Sequence, residues 1–125
     1  MIGYATLGTN DLARATAFYD ALLAEMGAKR IFELERGIIW GVPNRPSLGV
    51  LKPFNGEAAT VGNGTMISLM AESTAQVQQI HAKALALGGT NEGDAGPRGV
   101  NGFYGAYFRD LDGNKLCVFC YARGT

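Results

Sequence analysis

The chain has one histidine, two cysteines, one tryptophan and four prolines in 125 residues. A single imidazole, His81, excludes a metal centre built on several histidines, and any Ser-His-Asp arrangement would have to use this one side chain. The two cysteines, Cys117 and Cys120, are three apart in a strand-like stretch. At that spacing their side chains point to opposite faces and do not suit a regular disulfide, so a reducing, cytoplasmic setting is expected. Neither sign of charge is in excess, since Lys plus Arg and Asp plus Glu each number 11. Nucleic-acid binding, which needs a basic surface to displace counterions, is therefore not expected.

Long hydrophobic runs are missing too. No stretch approaches the ~20 apolar residues that span a bilayer. Met1-Ile2-Gly3-Tyr4 does not open a charged region followed by an apolar core, so neither a membrane partner nor a secretory signal is expected. Nucleophile elbows and phosphate loops are likewise not found. Gly62-Asn63-Gly64 and the glycine-rich stretch from Gly93 to Gly102 read as loops, without the strand-to-helix setting that a phosphate cradle needs. What is present, 47% hydrophobic and 18% charged residues, fits one globular domain with a small-molecule or protein partner.

The order of elements repeats. Ile2 to Leu7 reads as a strand, and Asn10 and Asp11 offer a helix cap. Leu12, Ala15, Phe18, Tyr19, Leu22, Leu23 and Met26 recur at helical spacing before Gly27 stops the helix. Three strands follow, Arg30 to Leu34, Ile38 to Val42 and Ser47 to Lys52, punctuated by Arg36-Gly37 and Pro43-Asn44. Residues 54–63 are small, polar and aperiodic, and read as a linker. Then a strand over Thr65 to Met70 leads to a capping box of Ser73 and Gln76. Val77, Ile80, Ala84 and Leu85 make a second helical stripe that ends at Gly88-Gly89. Strands over Phe103 to Phe108 and Lys115 to Tyr121 follow the glycine-rich stretch.

The two halves superpose with Tyr4 on Met66, Gly27 on Gly89 and Gly49 on Cys117. The expected fold is α+β: two βαβββ modules, 1–53 and 64–125, with eight strands and two principal helices. Paired modules would form a concave half-barrel cleft with the helices outside, which is where a ligand would bind.

Asn10-Asp11-Leu12, Phe18-Tyr19 and Leu22 in the first helix, and Arg109-Asp110-Leu111-Asp112-Gly113-Asn114 near the end, resemble the vicinal oxygen chelate superfamily. That superfamily holds glyoxalases, extradiol dioxygenases, fosfomycin-resistance thiol transferases and bleomycin-binding proteins. In its metal-dependent members the resemblance implies four ligands, one from the first and one from the last strand of each module. Those positions match Tyr4, Gly49, Met66 and Cys117. Glycine has no donor, a thioether suits hard divalent ions badly, and a phenol must first lose a proton of pKa ~10. No metal and no cofactor are therefore expected.

The turn Asp110-Leu111-Asp112-Gly113 suits a three-residue hairpin loop, which sets Asp110 opposite Asn114 and Tyr107 opposite Cys117. Its aspartates are expected to shape the turn and to take no part in chemistry. The expected ligand-binding residues are Tyr4, Met66, Phe103, Tyr107 and Cys117, with Arg98 on the long loop as a contact for an anion. With no histidine placed to activate it, Cys117 reads as inert filler, and His81 as a helix residue on the outer layer. The expected function is binding of a small aromatic or amphipathic molecule, with a lyase-, isomerase- or dioxygenase-like enzyme as the alternative. A homodimer is expected because open sheet edges invite pairing and members of the resembled superfamily commonly dimerise. Pairing of modules within a chain and exchange between chains are both compatible with the sequence.

Overall fold

A computed structural model describes residues 1–99 and 101–122. The chain divides into two compact units, Met1–Asn63 and Gly64–Thr125, so residues 54–63 fall within the first. That unit runs β1 (Tyr4–Gly8), α1 (Leu12–Ala24), β2 (Lys29–Glu33), β3 (Gly37–Gly41) and β4 (Ser47–Leu51). Its strands form one sheet in the order β1-β4-β3-β2, with β1 and β4 parallel and the other pairs antiparallel.

Helix α1 starts where Asp11 accepts a hydrogen bond from the Arg14 amide at 3.1 Å, which satisfies one of the unpaired N–H groups of the first turn. It closes at Gly27, whose φ of 74° a side chain would strain. The apolar stripe of α1 buries Ala15, Phe18, Tyr19, Leu22 and Leu23 against Ile38, Trp40, Leu48 and Val50 of the sheet. Burying each of the larger of these side chains contributes about 1.5–3 kcal/mol. The Trp40 indole N–H donates to Asp20 Oδ1 at 2.9 Å, so the largest core residue keeps its polar atom satisfied.

The second unit repeats the order: β5 (Ile67–Met70), α2 (Thr74–Ala86), β6 (Thr90–Pro97), β7 (Phe103–Arg109) and β8 (Lys115–Tyr121). Its sheet has the matching order β5-β8-β7-β6, again with the first pair parallel. Ser73 caps α2 by accepting from the Gln76 amide at 3.1 Å, while Gln76 Oε1 accepts from the Glu72 amide at 2.7 Å. The reach back therefore ends one residue before the cap. Val77, Ile80 and Ala84 pack on Ala106, Phe108, Leu116 and Val118, all fully buried. The architecture is thus α+β, two βαβββ units, each an open four-stranded sheet with one helix on one face. No helix among the described residues is long and apolar enough to cross a membrane.

One expectation is corrected. Residues 90–97 form a strand, whereas the glycine-rich stretch from Gly93 reads in the sequence as loop. The glycines have a packing reason. A Cβ on Gly93 would stand 3.0 Å from Tyr107 Cδ2 and 3.3 Å from an Arg98 nitrogen, and one on Gly96 would stand 3.3 Å from the Arg98 guanidinium. Gly93 and Gly96 leave room for the neighbouring side chains that lie over this backbone, and two register shifts against β7 interrupt what alternation is left.

Candidate functional site

Alternation along β7 and β8 turns Ala106, Phe108, Leu116 and Val118 to α2. It leaves Phe103, Tyr107, Cys117, Phe119 and Tyr121 on the other face. The expected register holds: Tyr107 stands opposite Cys117, and the Asp110 amide donates to Asn114 O at 2.9 Å. Asp110 organises the turn as expected. Its Oδ1 accepts from the amides of Asp112 and Asn114, both at 2.9 Å, and its Oδ2 from Asn114 Nδ2 at 3.0 Å.

At the centre of this face lies Cys117, 1% exposed. Its thiol shares hydrogen bonds with the Ser68 hydroxyl and the Tyr107 phenol. Burial pushes the thiol above its ordinary pKa, and the hydrogen bonds oppose that shift without cancelling it. Burial, then the neighbouring Cys117, also pushes the Tyr107 phenol up. A protonated thiol is a weak nucleophile, so the arrangement fits the inert role.

Two cations approach the Tyr107 ring: Arg98 Cζ at 5.5 Å from its centroid and Lys115 Nζ at 5.7 Å. Arg98 is held by the strand that precedes it, with Nη1 donating to Gly96 O at 2.9 Å and Nη2 to Asp94 O at 2.5 Å. Beside this polar group, Phe103 and Phe119 stack at 5.3 Å with planes 10° apart. The Tyr121 ring sits edge-on to both, at 5.9 and 5.8 Å. Gly105 makes the stack possible, since a Cβ there would stand 2.8 Å from Phe103 Cε1. Met70, paired with Phe119, is 64% exposed and Tyr121 56%.

Of the expected residues, Phe103, Tyr107, Cys117 and Arg98 gather on this one sheet. Met66 precedes β5 and is part exposed, while Tyr4 lies in the first unit and pairs with Ser47. Register also changes the neighbours of the matched positions: Ser68, not Met66, stands across from Cys117, and Thr6, not Tyr4, across from Gly49. The parallel ladders pair the last strands with residues two further along each first strand than the superposition of the halves suggests.

The donor set does not fit a divalent ion. In the first unit Thr6 and Gly49, and in the second Ser68 and the buried thiol of Cys117, each taken by itself, offer no carboxylate or imidazole to balance a dication. Among the described residues no three His, Cys, Asp or Glu side chains converge as a metal site would need. His81 is committed on the helix side, as expected for the outer layer. Its Nε2 lies 3.1 Å from Asn91 Oδ1 and 3.2 Å from Tyr107 O, two acceptors that place the proton on that nitrogen.

A second feature escaped the sequence reading. Residues 53–60 lie as a strap over the first sheet, on the face turned from α1. Asn10 Oδ1 accepts from the Ala59 amide at 2.7 Å, and Asn10 Nδ2 donates to Ala59 O at 3.2 Å. A Cβ on Gly8 would stand 2.9 Å from Ala59 Cβ, so the strap depends on glycine there. Between it and the sheet is an open pocket of about 610 Å³, whose lining includes Arg36, Lys52 and Phe54. The sole hint in the sequence is Phe54, a lone aromatic in an otherwise small and polar segment.

The family model described as Glyoxalase/Bleomycin resistance protein/Dioxygenase superfamily matches residues 1–118. Among solved structures, a glyoxalase/bleomycin resistance protein from Albidiferax ferrireducens is 36% identical, with a TM-score of 0.86 over 96% of this chain and 98% of that one. A glyoxalase/bleomycin resistance protein/dioxygenase family enzyme from Burkholderia phytofirmans is 16% identical, with a TM-score of 0.77 over 95% and 97%. A lactoylglutathione lyase from Agrobacterium tumefaciens is 22% identical, with a TM-score of 0.70 over 96% and 92%. These last two likenesses are of fold alone. No curated protein matches the chain.

Proposed function

The chain belongs to the Glyoxalase/Bleomycin resistance protein/Dioxygenase superfamily, and on that premise we propose that it binds a small aromatic or amphipathic molecule without a metal ion. One observation carries this reading. The helix-free face of the second sheet sets an exposed aromatic cluster beside a hydroxyl-thiol-phenol group whose polar atoms satisfy one another. Two cations, Arg98 and Lys115, lie against the Tyr107 ring, which favours a ligand with an anionic group. Rings would stack on Phe119 and Tyr121, and the phenol of Tyr107 would supply direction. Metal-dependent lyase, isomerase or dioxygenase chemistry is disfavoured by the donor chemistry of the matched positions.

Anilinonaphthalene sulfonate, an aromatic anion, is a suitable probe. Titration should show saturable fluorescence enhancement, with Tyr107→Ala and Tyr121→Ala each weakening binding about tenfold, or ~1.4 kcal/mol. Elemental analysis of protein purified without chelator should find no stoichiometric transition metal. About one zinc, nickel or iron per chain, lost in Cys117→Ser, would overturn the reading and put an enzyme in its place.

Homodimerisation in the cytoplasm belongs to the same proposal. Strand β2 is a sheet edge exposed along its whole length, with Ile31 at 44% and Phe32 at 59%, and Leu34 just beyond at 49%. Apolar edges of this kind favour pairing with a second copy. Sedimentation that finds only monomer at micromolar concentration would refute the dimer. Both cysteines are free, as a reducing compartment would keep them.

A further inference from the structure

We propose that the first unit carries its own ligand site, separate from the second sheet, in which the cavity under the strap takes the carboxylate of a small amphipathic acid. At about 610 Å³ the cavity lies within the usual range for small-molecule sites, roughly 300–1,000 Å³. Its floor is the parallel pair β1 and β4, at Thr6, Gly8 and Leu51, and Phe54, 88% exposed, stands at its open rim.

The cations are what distinguish it. Arg36 donates from Nη1 to Lys52 O at 2.9 Å, and its guanidinium lies 5.2 Å from the Phe54 ring centroid. The head group is thus held at two points, yet no carboxylate neutralises it. Arg14, Arg30 and Arg109, by contrast, are paired with Asp11, Asp20 and Glu92. The Lys52 ammonium, which also lines the cavity, has no ion-pair partner among the described residues. Glu57, the one carboxylate in the lining, pairs with neither cation. Two unspent cations against one carboxylate leave room for a single negative charge. A guanidinium fork placed in advance suits a carboxylate in particular, because it presents parallel N–H donors to two oxygens.

The strap is not waiting to be ordered. Asn10 holds both backbone groups of Ala59, and Gly8 admits the close approach, so a ligand would meet an open pocket whose strap is already tied at Ala59. Thr6 and Thr60 add hydroxyls and Asn55 an amide to a mostly polar lining, whose apolar part is supplied by Leu51, Phe54 and Ala58. That division, charge at Arg36 and Lys52 and apolar surface at Phe54, is the chemistry of an acid with a compact hydrophobic body.

The test is a titration of the full isotope-labelled chain with benzoate, read from amide chemical shifts, with benzyl alcohol as the neutral analogue. Saturable shifts are expected at residues 6–8, 36 and 51–60. Arg36→Gln and Lys52→Gln should each weaken benzoate binding tenfold or more while leaving the remaining spectrum intact, and benzyl alcohol should not saturate. Tyr107→Ala should leave the benzoate shifts at residues 6–8, 36 and 51–60 unchanged whatever it does to shifts on the second sheet, which separates the two sites. Shifts confined to residues 66–121, or an undiminished response in both Gln variants, would overturn the proposal.

Discussion

Tyr107 and Cys117 face one another across the β7–β8 ladder, and the phenol and the thiol share a hydrogen bond. The consequence is a cysteine whose chemistry is set by burial. Desolvation raises the thiol pKa, and the bond to Tyr107 acts against it. Iodoacetamide should therefore alkylate Cys117 slowly near neutral pH, with the rate rising only above the ordinary thiol range of ~8.5. Tyr107→Phe removes one of the groups that favour the thiolate, so alkylation should become slower still. Mass spectrometry in a Cys120→Ser background checks this, and a faster reaction in Tyr107→Phe would show that access, not thiolate content, controls the rate.

Asp110 offers a sharper stability prediction. Its carboxylate accepts three hydrogen bonds, two from Asn114, which is itself buried. Asp110→Ala would strip those donors of their acceptor inside the β7–β8 turn. The expected cost is about 2–4 kcal/mol, since buried polar groups left without partners cost more than the bonds themselves contribute. Asp110→Asn keeps one acceptor oxygen and should cost less. Urea midpoints of the two variants decide it, and equal, near-zero losses would remove Asp110 from its role in the turn.

Much of this was legible in the sequence because local chemistry and periodicity dictate it. The stripe from Leu12 to Leu23 announces α1, Ser73 with Gln76 announces the start of α2, and counting through Asp110-Leu111-Asp112-Gly113 sets Tyr107 opposite Cys117. Other parts rest on contacts far apart in the chain. Strand β6 has no side-chain pattern to read, because its glycines make way for Tyr107 and Arg98. The strap depends on Asn10 meeting Ala59, 49 residues later, which no period encodes. Likewise, which hydroxyl neighbours Cys117 is fixed by ladder register: the halves align at Met66, but Ser68 is the residue opposite.

Asp20 predicts a response to acid. Its carboxyl is held below the usual range chiefly by hydrogen bonds from Arg30, at 2.9 and 2.6 Å, with the Trp40 indole N–H adding to the effect at 2.9 Å. A depressed folded-state pKa means that the unfolded chain binds the proton more readily. The contribution is therefore fully present above the unfolded value of ~3.9 and is lost as pH falls below it. Because the pair is more than a third exposed, screening limits this to about 1 kcal/mol or less. Trp40, the single tryptophan, reports on the same cluster by fluorescence. Asp20→Asn should lose stability at pH 7 and show a smaller further loss between pH 5 and pH 3 than the parent; an identical acid response would show that other carboxylates account for it.

Asn10 belongs to the segment by which the chain first resembles its superfamily, and its side chain holds the strap while the neighbouring Asp11 caps α1. Asn10→Ala removes both bonds to Ala59 without disturbing the cap. The Ala59 amide, which donates to Asn10 Oδ1 at 2.7 Å, should then lose hydrogen-exchange protection by about tenfold, matching the ~0.5–1.5 kcal/mol net worth of such a bond. Asn10→Asp keeps an acceptor for the Ala59 amide but sets a second oxygen against Ala59 O, so protection should fall between the two. Amides of β7 and β8, in the second unit, should exchange at unchanged rates. If Ala59 exchanges at the same rate in all three proteins, the strap is held by its packing on Gly8, and Gly8→Ala, which crowds Ala59 Cβ to 2.9 Å, becomes the substitution that should release it.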